Sequence, residues 1–119
     1  VHTAKGSIKD STIYYYSKAI LYNPIRWQKF NHTVAEFYYD KKDYVHAKKY
    51  FLLYLNELST FSAKSRLYYI DLERLINIYI EEKNFSGAEK AVNYFVNAET
   101  DKEKHERLLE KILAASETQ

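Results

Sequence analysis

Apolar side chains recur along this chain at intervals of three and four, the spacing that gathers them on one face of an α-helix. Ile8, Thr12, Tyr16, Ala19 and Ile20 make a first stripe. It stops at Asn23-Pro24, because the residue before a proline avoids the α region. Trp27, Phe30, Val34, Phe37 and Tyr38 make a second. Asp43 is placed to cap a third helix, which carries Tyr44, Ala47, Phe51, Tyr54, Leu55 and Leu58. Ser59 or Thr60 is placed to cap a fourth, with Phe61, Tyr68, Leu72, Leu75, Ile76 and Tyr79 along it. Asn84 opens a fifth, with Phe85, Ala88, Val92, Phe95 and Val96. Thr100 and Glu103 have the spacing of a capping box ahead of Leu108, Leu109, Ile112 and Leu113. The pattern predicts an all-α chain of about six antiparallel helices with short connections and no strand.

Composition agrees with that reading. Only 2 Gly and 1 Pro are present, too few to punctuate an all-β domain with a turn every ~8–12 residues. A chain of 119 residues reads as a single domain, 1–119, and its 17% aromatic content argues against disorder. With no Cys, disulfides and thiolate metal sites are excluded. With no Met, Val1 does not read as a native start, so the expectation is a fragment of a longer protein. The longest apolar run, Phe51 to Leu55, is far short of the ~20 residues that span a bilayer, so no membrane insertion by this segment is expected. Heavy use of Tyr, Lys, Ile and Asn is that of AT-rich bacterial genomes. It leans towards a periplasmic or cell-envelope setting, with the cytoplasm open.

Set against itself with an offset of 41 positions, the chain repeats. Tyr38 meets Tyr79, Lys42 meets Lys83, Ala47 meets Ala88, Lys49 meets Lys90 and Asn56 meets Asn97. Val34 meets Leu75, Tyr44 meets Phe85, Phe51 meets Val92 and Tyr54 meets Phe95. One copy reads Asn31, Val34-Ala35, Tyr38, Ala47, Phe51, and the other Leu72, Leu75-Ile76, Tyr79, Ala88, Val92. Thr12, Tyr16, Ala19 and Pro24 make a partial copy ahead of them.

This pattern resembles the tetratricopeptide repeat family over residues 7–114. The resemblance implies an α-solenoid, in which a small residue such as Ala47 or Ala88 sits where paired helices cross. The copies depart from the family at Ile76, where a small residue is usual, so the second pair is expected to be more widely spaced. The repeat is also longer than the family's. Its extra residues equal about two helical turns, which predicts one extended helical hairpin around Leu55–Leu67.

The resemblance also implies a groove lined by the first helix of each repeat. Carried over by position, its residues are Lys29, His32, Glu36 and Tyr39 in one copy and Glu73, Asn77 and Ile80 in the other. His32, Glu36 and Glu73 are wrong for the family's carboxylate clamp, so an acidic peptide tail is expected to be repelled. Tyr14, Tyr15, Tyr39, Tyr50 and Tyr69 fall off the packing stripes, and tyrosine is enriched at protein interfaces. Tyr68 and Tyr69 are therefore candidate contact residues at the hairpin. The polar last helix, with Glu103–Arg107 as a helpful pair and Glu106–Glu110 as a repulsive one, reads as a solvating cap or a coiled-coil arm.

Catalytic chemistry finds little to build on. The histidines lack a His-x-x-x-His pair, and no Gly-rich phosphate loop exists. Glu81-Glu82 and Asp71 with Glu73 read as helix-surface acids without the apolar pocket a general acid needs. The expectation is a non-catalytic scaffold or adaptor, without metal or cofactor, that binds another protein, with self-association open. The alternative is a nucleic-acid-binding repeat, for which Lys41-Lys42, Lys48-Lys49, Tyr38-Tyr39 and Tyr50 interleave charge with rings. Net charge is only +2 and both signs are mixed, which favours the protein partner.

Overall fold

The computed structural model describes residues 9–61 and 64–118. Among them every regular element is a helix: α1 (Asp10–Tyr22), α2 (Phe30–Asp40), α3 (Tyr44–Leu58), α4 (Arg66–Glu81), α5 (Phe85–Phe95) and α6 (Lys102–Glu117). The chain divides into two compact units, Val1–Tyr54 and Leu55–Gln119, with the boundary inside α3. The sequence reading has a single domain.

The tightest local structure occurs twice, 41 residues apart. Lys42 and Lys83 have positive φ, 62° and 59°. The Lys42 N–H donates to Tyr39 O and the Asp43 N–H to Tyr38 O, both at 2.9 Å. In the second copy Lys83 N–H donates to Ile80 O at 2.9 Å and Asn84 N–H to Tyr79 O at 2.8 Å. This pair of bonds is the Schellman ending, in which a left-handed residue lets the last carbonyls of a helix find donors. The next residue then starts the following helix. Asp43 accepts from the His46 N–H at 3.3 Å, and Asn84 from the Gly87 N–H at 2.9 Å. A Cβ on Gly87 would lie 2.6 Å from Asn84 Nδ2, so the glycine leaves room for its own cap. At the matching position His46 carries a side chain, and its cap bond is the longer one.

In the first unit Ile13, Ile20 and Val34 are buried, with Tyr16, Trp27, Phe30, Phe37, Tyr38 and Tyr50 packed around them. Phe30 stacks on Tyr16 at 4.2 Å and on Trp27 at 5.4 Å between centroids. The α1 stripe is thus centred on Ile13, Tyr16 and Ile20 and not on Thr12. Both sets satisfy the three-four spacing, and the larger apolar residue takes the core. Ile8 lies outside the described residues. Trp27 precedes α2 in a run of turns that Asn23 opens by accepting from the Arg26 N–H at 3.1 Å.

In the second unit α4, α5 and α6 pack on one another. Their buried residues include Leu72, Leu75, Ile76, Ala88, Val92, Leu108 and Ile112. Two expected caps fail. Ser65, not Ser59 or Thr60, caps α4 by accepting from the Tyr68 N–H at 3.2 Å. Ser59 instead donates to Asn56 O, and Phe61 is 58% exposed outside any helix. The Thr100–Glu103 box does not form, because Asn97 Oδ1 takes the N–H groups of Glu99 and Thr100. Asp101 then holds the N-cap position of α6.

The backbones of α4 and α5 run close together. Rings pack between α2 and α3: Tyr38 stacks on His46 at 4.9 Å and on Tyr50 at 6.1 Å, and Tyr39 meets Phe51 at 5.9 Å. In the second copy α5 offers buried Ala88 and Ala91, small residues that admit a close neighbour. Helices α3 and α4 have 15 and 16 residues, against 11 in α2 and in α5. Neither helix extends through the segment between Leu58 and Arg66, of which residues 62–63 lie outside the described residues.

Two outcomes follow. A left-handed L-residue costs ~1–2 kcal/mol, part of which glycine recovers. Lys42→Gly and Lys83→Gly are each expected to raise stability by about 0.5–1 kcal/mol in urea melts. Ala88→Leu, at the close α4–α5 approach, is expected to lose ~1–3 kcal/mol by overpacking in the same assay. An unchanged midpoint in that variant counts against the close approach.

Candidate functional site

Two surfaces carry the exposed chemistry, one in each unit. In the first, α1 ends in an apolar tip. Leu21 is 77% exposed, Tyr22 88% and Ile25 82%. Tyr14 and Tyr15 are exposed further along the same helix. A helix repeats its faces about every seven residues, so Tyr14 and Leu21 share a side, as do Tyr15 and Tyr22. Between residues 11 and 35 the chain carries Lys18, Arg26 and Lys29 and no acid. Lys18 Nζ lies 5.4 Å from the Tyr14 ring centre, and the Arg26 guanidinium lies 4.8 Å from that of Trp27. Sequence pattern singled out Tyr14 and Tyr15 here. Leu21, Tyr22 and Ile25 were legible only as residues falling off the Ile13–Ile20 face.

The candidate groove residues of this unit are placed as follows. Lys29 is exposed at the entry to α2, with its Nζ 5.8 Å from the Phe30 ring. His32 and Glu36 are half-buried, and His32 lies against Tyr54 at 5.4 Å. Tyr39 is half-buried between Tyr44 and Phe51. Tyr38, Tyr39 and Tyr50 thus lie against neighbouring rings. Burial, then Tyr50 and nearby acids, raise the Tyr38 hydroxyl above its ordinary value.

In the second unit the Tyr68–Tyr69 pair separates into two roles. Tyr68 is fully buried, and its hydroxyl donates to Phe95 O at 2.8 Å. That bond satisfies one of the last carbonyls of α5, which lack partners within the helix. Burial above all pushes the Tyr68 hydroxyl well up, with Tyr94 and Asp101 adding to it. Tyr68 is therefore a core residue, as its place on the apolar stripe with Leu72 and Leu75 implied, and not the exposed contact proposed for the hairpin. Tyr69 is half-buried, and its hydroxyl donates to Asp101 Oδ2. Burial, then that bond, raises its hydroxyl as well.

Around Tyr69 a cavity of about 340 Å³ opens, lined by Lys64, Arg66, Tyr69, Ile70, Glu73, Lys104 and Arg107. Lys104 Nζ lies 4.9 Å from the Tyr69 ring centre. Glu73, expected as a groove acid, accepts from Lys111 at 2.8 Å and from Arg107 at 3.2 Å. The Lys111 bond is the main cause that holds its carboxyl below the ordinary value, against the opposing effect of burial. Arg107 thus serves Glu73 across the unit and not Glu103 on its own helix. Asp71 also departs from expectation: it is fully buried, with Arg74 at 3.9 Å, and is not a surface acid. Asn77 and Ile80 are half-buried on α4.

The Glu73 cluster gives a signed pH dependence. A depressed carboxyl contributes stability that is present above its unfolded value, 4.5, and is lost as pH falls through the lower folded value. Glu73→Gln is expected to lower the melting midpoint at about pH 7 and to match the native chain near about pH 2–3. Each partly exposed pair is worth ~0.2–1 kcal/mol. A pH-independent difference between the two chains argues that the effect comes from packing.

Compared with known proteins, the chain matches no family model, no curated protein and no solved structure.

Proposed function

We propose that this chain is a tetratricopeptide-like repeat module that binds a partner protein and has no chemistry of its own. The observation that carries the reading is the apolar tip of α1. A leucine, a tyrosine and an isoleucine more than three-quarters exposed, beside Tyr14 and Tyr15, form the kind of patch that marks a partner surface. Tyrosines add large contact area at low conformational cost. Lys18, Arg26 and Lys29, without a nearby acid in sequence, favour a partner whose docking face is acidic.

The repeat supports the module. The Schellman ending and the cap recur at Lys42–Asp43 and Lys83–Asn84 with the same bonds, so the 41-residue period is a period of backbone geometry as well as of residue type. The solenoid and the extended hairpin come with the family resemblance. The added turns in α3 and α4 accord with that hairpin. For nucleic acid, the rings that the sequence offered to bases, Tyr38, Tyr39 and Tyr50, are engaged with other side chains. That favours the protein partner.

The test is capture from a lysate of the source organism, followed by titration with the purified captured protein. The native chain is compared with the triple variant Leu21→Ser, Tyr22→Ser, Ile25→Ser. The expected result is a protein bound by the native chain and weakened at least about tenfold by the variant, at unchanged melting midpoint. Retention that nuclease abolishes overturns the reading in favour of nucleic acid. Equal affinity of both chains moves the site away from α1.

A further inference from the structure

The cavity beside Tyr69 has a composition that the groove reading does not explain. Four cationic side chains line it, Lys64, Arg66, Lys104 and Arg107, with Glu73 as the one carboxylate. Glu73 is already bonded to Arg107 and to Lys111, which lies outside the lining. One carboxylate shared between two cations leaves the cavity strongly positive. Charges crowded in this way raise the local concentration of anions. Glu103, Glu106 and Glu110 border Lys104 and Arg107 in a separate depression and do not line this one. Asp101, also outside the lining, accepts the Tyr69 hydroxyl.

The geometry sorts the possible ligands. A bare anion leaves most of about 340 Å³ unfilled; the size is that of the smaller cavities that hold organic ligands, ~300–1,000 Å³. Ile70 and the body of Tyr69 supply an apolar wall next to the cations. Arginine presents a planar fork suited to paired oxygens, and Glu73 fixes that of Arg107 by taking one of its N–H groups. Four cations exceed what a single carboxylate needs. A phosphomonoester brings about −1.5 to −2 charges and three acceptor oxygens.

We propose that this cavity binds a phosphomonoester carried on a compact apolar group, as a phosphorylated side chain of a protein would present it. Arg66 and Lys104 meet the phosphate, Arg107 meets it while held by Glu73, and Ile70 and Tyr69 meet the apolar group. The identity of the carrier rests on the protein-binding reading above; the anion site does not.

The experiment titrates the native chain at low salt with phenyl phosphate and with inorganic phosphate, following backbone amide shifts. Phenyl phosphate is expected to shift Tyr69 and Ile70 and to bind at least threefold tighter than inorganic phosphate. Arg66→Gln with Lys104→Gln is expected to weaken it at least tenfold. Lys48→Gln with Lys49→Gln, cations of the other unit, is expected to leave it unchanged. No saturable shift at Tyr69 and Ile70 overturns the site, and so does an equal loss in both double variants, which is the mark of diffuse surface charge. Equal affinity for the two phosphates overturns the apolar wall as a contact. A phosphotyrosine peptide is then compared with its unphosphorylated form and with vesicles containing phosphatidic acid. Binding of the phosphopeptide alone supports the protein carrier, and binding of the vesicles alone overturns it. Failure with phenyl phosphate leaves the α1 reading standing, because that test uses different residues in the other unit.

Discussion

A three-residue connection sets the geometry of each central helix pair. To turn a chain from one helix into the next within so short a space, one residue must leave the right-handed region, and here it is a lysine both times. The strain is held because the residue after it has two obligations. Its N–H closes the outgoing helix, and its side chain opens the incoming one. Neither obligation can be met with the chain one residue longer or shorter. The angle and phase at which α3 leaves α2, and α5 leaves α4, are thereby fixed before any apolar surface is considered. Packing then completes the pairs by different means. Rings stack between the helices of the first pair, and buried alanines let the backbones of the second approach.

Much of the fold was legible for the same reason. Periodicity located all six helices, and the residue types Asp43 and Asn84 marked two starts correctly, because at those points the local signal and the tertiary requirement coincide. Where several hydroxyl or amide residues compete within a few positions, composition cannot choose among them. Ser65 displaced Ser59 and Thr60 because a cap is decided by which oxygen reaches the free N–H groups, and α6 starts one residue after Thr100, at an N-cap of Asp101. The distance between two helices depends on both partners, so Ile76 alone does not set it where α5 brings Ala88 and Ala91.

Charge was harder to read than packing. Glu73 was assigned a repulsive role from its sign, but the sign of a neighbourhood belongs to all the side chains that converge there. Arg107 and Lys111 arrive from more than thirty positions away. No spacing rule within one helix finds that convergence, and the i,i+4 rule pointed Arg107 elsewhere. For Tyr68 periodicity was the better guide: its place on the stripe with Leu72 put it in the core, where its hydroxyl has a carbonyl to bond, and its neighbour Tyr69 in sequence did not make it a contact residue.

The close helix partners of the second unit, α4, α5 and α6, are consecutive along the chain, joined by the short turns that end each one. Such contacts close small loops, so little entropy is lost before they begin to stabilise. Chains with local contacts of this kind fold in microseconds to milliseconds, far faster than sheets assembled from distant segments. Synthesis adds ~5–20 residues per second. A hairpin whose turn is already specified by Lys83 and Asn84 has time to form as it emerges from the ribosome, and its apolar faces spend little time uncovered.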